Sequence, residues 1–195
     1  CINGMLLYFA SYFRFPIDVF SHIIDFILNV KMQDGGWNCE YFNRATHSSL
    51  HTTISVLEGL SQYILINQYT YRKQEIIDSI YRGNEFILDH ELYKSSTTGE
   101  VIKDDFFKYY FPIRWKYDIL RCLDYFQKNN VQYDDRMYDA INIIKNSKNS
   151  NSQWKGFSQP GKVFLLIDKN CSPSKWNTLR AFRVLNCYKD CGQNE

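Results

Sequence analysis

The residues best suited to chemistry are His47 and His51, four positions apart where Leu50, Ile54, Leu57 and Ile64 recur at helical spacing. On one helix such a pair projects from a single face, and Glu58 and Gln62 fall on the same side, so the spacing predicts a polar stripe. A histidine pair at this spacing can hold zinc, with Cys39 near enough in sequence to be a third ligand. Glu58 does not complete the set, because seven residues of helix place it about 10 Å away. The Cys-x7-His-x3-His spacing matches no strong zinc signature. The competing reading is a helix start capped by Thr46 or Ser48, with His47 exposed and the stripe simply solvated.

Two later segments offer further candidates. Arg114-Trp115-Lys116-Tyr117-Asp118-Ile119-Leu120-Arg121 is similar to Lys175-Trp176-Asn177-Thr178-Leu179-Arg180 once one residue is skipped, and each precedes an apolar helical run. Aligned on Leu120 and Leu179, this register makes His51, Asp118 and Asn177 equivalent, with Arg121 and Arg180 coinciding one turn later. A histidine beside an aspartate can serve as general acid or base, which makes His51, His47 and Asp118 the catalytic candidates. Arg121 and Arg180 can hold a carboxylate or phosphate bidentately, with Asn177 and Glu58 as further ligand-binding candidates. The competing fate of Arg114, Asp118 and Arg121 is a helix-surface ion pair. No nucleophile, base and orienter stand in a hydrolase pattern, and Gly35-Gly36 lacks the following Lys-Ser or Lys-Thr of a phosphate loop.

These residues must be positioned by helices. Pro16 suits a helix start, and Ile17, Phe20, Ile24, Ile27 and Leu28 follow at helical spacing. Gln33-Asp34-Gly35-Gly36-Trp37 then makes a turn whose paired glycines permit positive φ and close backbone approach, with Trp37 available to cover the helix end. A second helix is expected from near His47. A second pair carries Ile76, Ile80 and Ile87, then a long connection from about Tyr93 to Pro112, then a helix over 114–126. A third pair starts from Asp134-Asp135 and ends in a helix over 174–188. Ile2 to Phe13 forms the second helix of a preceding pair. Gly161 to Ile167 is the best strand candidate. The expectation is an all-α chain of about seven helices, paired as in a solenoid or closed toroid.

At 195 residues the chain is expected to form a single domain over residues 1–195. Its net charge of +2, with both signs interspersed, gives no electrostatic footprint for nucleic acid. The apolar run Met5 to Ala10 is broken by Ser11, Arg14 and Asp18 before a membrane-spanning length. The cysteines at 1, 39, 122, 171, 187 and 191 form no CxxC pair, which reads as free thiols in a reducing, cytoplasmic setting. A start at Cys1 rather than Met suggests the C-terminal part of a longer chain, whose exposed inner faces would promote self-association.

Phe26-Ile27-Leu28 followed by Gln33-Asp34-Gly35-Gly36-Trp37 resembles the QW-type repeat of squalene and oxidosqualene (terpenoid) cyclases and of protein prenyltransferase β subunits. Weaker copies lie around Trp115 and around Gln153-Trp154 with Trp176, so residues 2–188 are similar to a truncated or divergent, bacterial-type member. The resemblance implies a partial α/α toroid with a polar and aromatic inner cavity. It also implies an isoprenoid-type or small anionic ligand, with Trp115 and Trp176 as a candidate aromatic wall. The chemistry does not carry over. The catalytic Asp-x-Asp-Asp of the cyclases is absent, with only Asp104-Asp105 and Asp134-Asp135 here, and so is the Asp-x-Cys zinc pair of the prenyltransferases. The cofactor is therefore unassigned, with zinc on Cys39, His47 and His51 as the one specific candidate. The rival expectation is a non-catalytic helical-repeat scaffold that binds a protein or peptide.

Overall fold

The computed structural model describes residues 1–66, 68–158, 161 and 167–189. Seven α-helices are present among them: α1 Ile2–Tyr12, α2 Ile17–Asn29, α3 Leu50–Ile64, α4 Lys73–Asp89, α5 Ile119–Lys128, α6 Tyr138–Asn146 and α7 Lys175–Cys187. The only strands among the described residues form a two-residue antiparallel pair, β1 Lys155–Gly156 against β2 Ser172–Pro173, beside isolated bridges at Lys94–Val101 and Tyr110–Phe157. The chain is all-α. The strand expected at Gly161 to Ile167 falls largely outside the described residues, as does Cys191. No helix among the described residues is long and apolar enough to cross a membrane. The described cysteines 1, 39, 122, 171 and 187 are free thiols.

The contacts divide the chain into two compact units, Cys1–Ile87 and Leu88–Glu195. In the first, α1 lies directly on α3, and only glycines allow the approach. A Cβ at Gly4 would stand 2.3 Å from the Ser55 carbonyl oxygen, and one at Gly59 would stand 2.3 Å from that of Gly4. Leu7, Phe20, Ile24, Ile27, Ile54 and Leu57 fill the core beneath. Tyr63 and Tyr69 stack at 5.1 Å with Phe20 against both rings, and the Tyr69 hydroxyl donates to the Phe15 carbonyl.

In the second unit α5 and α7 pack together around Leu120, Leu123, Ala181 and Val184, and α6 closes over Met137, Ala140 and Ile144. Asp134 caps the short 3-10 turn Asp135–Met137 that leads into α6, its carboxylate accepting from the Arg136 backbone N–H at 2.9 Å.

Two of the helix joints are built alike. Trp37 is buried with its indole N–H donating to the Ile27 carbonyl at 2.7 Å, and Trp154 is buried with its own donating to Ile144 at 2.8 Å. Ile27 and Ile144 each lie two residues before the end of their helix, among the carbonyls that a helix leaves unsatisfied. The Trp37 backbone N–H donates to Thr53 Oγ1 at 3.0 Å, and that of Trp154 to Thr178 Oγ1 at 3.1 Å. Ser49 and Ser174, the N-caps of α3 and α7, donate their backbone N–H to the Trp37 and Trp154 carbonyls. Each tryptophan thus ties the end of one helix to the start of the next. The turn expected at Gln33 to Trp37 is present, with Gln33 exposed and without a side-chain hydrogen bond among the described residues. Asp34 acts instead, accepting from the Ser48 N–H at 2.7 Å and from its hydroxyl at 2.5 Å.

Candidate functional site

The two histidines do not share a helix face. Because Ser49 hydrogen-bonds to Trp37, α3 begins only at Leu50, which leaves His47 exposed in the preceding loop and His51 alone in the first turn. Its carbonyl accepts from Ser55 Oγ at 3.2 Å. His47 is exposed, as the competing reading has it, but the N-cap residue is Ser49 rather than Thr46 or Ser48. Cys39 lies exposed on the 3-10 turn Cys39–Asn43. Among the described residues no three His, Cys, Asp or Glu side chains form a group able to hold a metal ion, so the expected set of Cys39, His47 and His51 is not assembled. Glu58 is half-buried on α3, and its charge adds to the effect of burial in raising the Tyr8 phenol.

In the second unit Asp118, Arg121, Asn177 and Arg180 are buried together, but in a different register from the one expected. The caps set the true equivalence: Asp118 caps α5 as Ser174 caps α7, each accepting from the backbone N–H three residues on. Asn177 therefore matches Arg121, not Asp118, and His51 falls two residues after its cap beside Leu120 and Trp176.

Each of the four side chains has at least one structural partner. Asp118 accepts from the Arg121 N–H at 2.7 Å and the Tyr110 N–H at 3.3 Å. Burial raises its pKa, opposed by the charge of Arg180. Arg121 Nη1 donates to the Lys116 carbonyl. The Asn177 amide donates to the Tyr109 and Lys155 carbonyls and accepts from Arg180 Nη1 at 2.9 Å. Arg180 Nε stands 3.4 Å from Asp124, which also takes Arg183 at 2.6 Å and Lys128 at 3.0 Å. The chemistry of the set is bracing: caps and counter-ions hold α5, α7 and the 109–118 connection. Trp115 and Trp176 stand half-exposed, Trp176 stacked on Phe111 at 5.3 Å, and neither takes the place that Trp37 and Trp154 hold at their joints.

Sequence reasoning missed an open trough of about 500 Å3 along α6, lined by Asp139, Asn142, Ile143, Asn146, Ser147 and Tyr93. The four α6 residues and the C-cap Ser147 recur at i, i+3, i+4, i+7 and i+8, the spacing of one helix face. Lys94 bridges Asp139 at 2.7 Å and Glu91 at 2.6 Å at the rim. Tyr109, its phenol raised to about 12 by burial, bonds Ser147 at 3.1 Å. The side chains of Asn142 and Asn146 have no hydrogen-bond partner among the described residues, so both amides are open. The available signal was Asp139, Asn142 and Asn146 at helical spacing.

The chain matches no protein-family model, no curated protein and no solved structure.

Proposed function

We propose that this chain is a non-catalytic helical-repeat module of the cytoplasm whose α6 trough binds an extended, polar peptide segment of a protein partner. The observation that carries the reading is the pair of open amides at Asn142 and Asn146. Four residues of helix rise about 6 Å, close to the two-residue repeat of roughly 6.6 Å in an extended chain. Each amide offers both donor and acceptor, so the two can read alternate backbone groups of one peptide strand. Ile143 between them supplies apolar contact. Asp118, Asn177 and Arg180 are instead engaged in a cap, a backbone carbonyl and a counter-ion. Paired helices locked by a tryptophan joint are in keeping with the toroid-type resemblance, which stands here as a likeness of architecture.

Selection of random linear dodecapeptides on the immobilised chain tests this. Peptides so obtained are expected to bind at least tenfold more weakly to Asn142→Ala/Asn146→Ala and equally well to His51→Ala. Recovery of no binder, or of binders indifferent to the double variant, overturns it.

One observation favours a second reading, a small carboxylate or phosphate ligand of the isoprenoid-diphosphate head-group class. Arg180 is only 4% exposed, yet its Nη2 has no hydrogen-bond partner among the described residues. Under this reading inorganic phosphate or pyrophosphate raises the melting temperature of the chain but not of Arg180→Lys. An unchanged melting temperature removes it.

A further inference from the structure

The face of α1 turned away from α3 is more apolar than the face it buries. Small residues meet α3: Gly4, Ala10 and Ser11, with Leu7 between. On the other side Ile2, Leu6, Phe9 and Phe13 are 72%, 48%, 51% and 64% exposed. At 100° per residue these four fall within an arc of about 60°, opposite the buried set. Tyr8 and Tyr12 stack alongside with ring centroids 6.2 Å apart.

We infer that this face is the interface of a two-fold dimer, covered by α1 of a second copy of the chain in antiparallel orientation. The spacing of the stripe is its own mirror: 4, 3 and 4 residues read the same in both directions. An antiparallel copy therefore sets Ile2 against Phe13 and Leu6 against Phe9, an aliphatic chain against an aromatic ring at every contact. That is the self-complementarity an isologous interface requires. Between Ile2 and Phe13 there is no charged residue, so like-with-like approach meets no repulsion. Antiparallel helix dipoles attract weakly. With a fully exposed aromatic ring taken as about 150–250 Å2, the five α1 side chains and the C-cap Phe13 expose on the order of 700 Å2, close to the ~800 Å2 per partner of a standard interface. A lipid surface fits less well, because α1 carries no Lys or Arg on its own length and only Arg14 stands just beyond its end, short of the basic polar face of a membrane-surface helix.

Sedimentation velocity of the 195-residue chain, from about 1 to about 100 µM to bracket micromolar dissociation constants, tests this. The expected result is a monomer–dimer equilibrium. Phe9→Glu is expected to be monomeric throughout with unchanged helical circular dichroism, while Tyr81→Glu, at an exposed site on α4, dimerises as the parent does. Should Phe9→Glu lose helical signal, Phe9→Ala replaces it, and at least tenfold weaker dimerisation is expected. A parent chain monomeric at every concentration overturns the inference, whether or not a different protein then binds the stripe. So does a folded Phe9 variant that dimerises like the parent.

Discussion

The α2–α3 and α6–α7 joints achieve one geometry with different connecting chains, whereas the connection into α5 does without it. In the first two an indole N–H takes a carbonyl at the end of one helix, while the tryptophan backbone grips the start of the next. What fills the space between tryptophan and cap differs, a 3-10 turn in one case and the short β1–β2 ladder in the other. Before α5 a buried tyrosine stands in, Tyr117, whose hydroxyl donates to the Leu92 carbonyl at 2.6 Å. The joint is thus fixed at its two ends, and the loop between them is free to vary.

The largest test of this equivalence is truncation of the two tryptophans. Trp37→Ala and Trp154→Ala each remove a fully buried side chain and orphan a helix-end carbonyl, and each is expected to cost about 3–5 kcal/mol. Urea unfolding of the whole chain reads both. Losses that agree within about 1 kcal/mol sharpen the comparison, since transferable contacts scatter by that much. A large loss at one site and almost none at the other breaks it.

A smaller effect is expected from the glycines beside each tryptophan. A Cβ at Gly36 would lie 2.6 Å from Thr53 Oγ1 and 2.8 Å from Ser48 Cβ, and one at Gly156 would lie 2.9 Å from Ser174 Cβ. The α3 start is pinned from both sides, by Trp37 and by Asp34, so Gly36→Ala is expected to cost about 1–3 kcal/mol through overpacking. Gly156→Ala meets one atom within 3 Å rather than three, and its cost is expected to be lower in the same urea series.

Much of this was legible in advance, and the parts that were not share a physical cause. Pro16 and the Ile17–Leu28 periodicity placed α2, because that signal is local. Gln153-Trp154 was visible as a second copy of Gln33–Trp37, and it stands at the matching joint. Trp115 was not a copy, since what makes the joint is a carbonyl ten residues before the tryptophan and a threonine many residues after it. Unequal loops hide that threonine from any fixed period. The site was less legible still. His47 and His51 look like a helical pair until the backbone bond from Ser49 to Trp37 delays α3. Asn142 and Asn146 look like ordinary helix-surface residues until the fold brings Tyr93 beside them.

Acid should act on the second unit through Asp105, whose carboxyl sits at about 2: burial opposes ionisation, but hydrogen bonds from Lys116, Tyr110 and Lys108 outweigh it. A carboxyl lowered by folding contributes stability that is complete above its ordinary range and is lost as pH falls through the folded value. Thermal scans are therefore expected to show a falling melting temperature between about pH 4 and pH 2, with a shallower fall in Asp105→Asn. An equally steep fall in the variant assigns the effect elsewhere.

The smallest expected effect probes the odd joint. Tyr117→Phe keeps the buried ring, which packs edge-on to Phe106 at 4.9 Å, and removes only the hydroxyl that satisfies the Leu92 carbonyl. A net hydrogen bond is worth about 0.5–1.5 kcal/mol, and a carbonyl left dry costs somewhat more, so a loss of about 1–2 kcal/mol is expected in urea. Leu92 holds a positive φ of 68°, a strained conformation that the hydroxyl helps to fix. Losing that tie should therefore also raise amide hydrogen exchange around Glu91 and Leu92 while leaving the Trp154 joint protected. Unchanged exchange at Leu92 would mean that the ring alone holds this connection, and that the middle joint relies on packing where its two counterparts rely on a hydrogen-bonded indole.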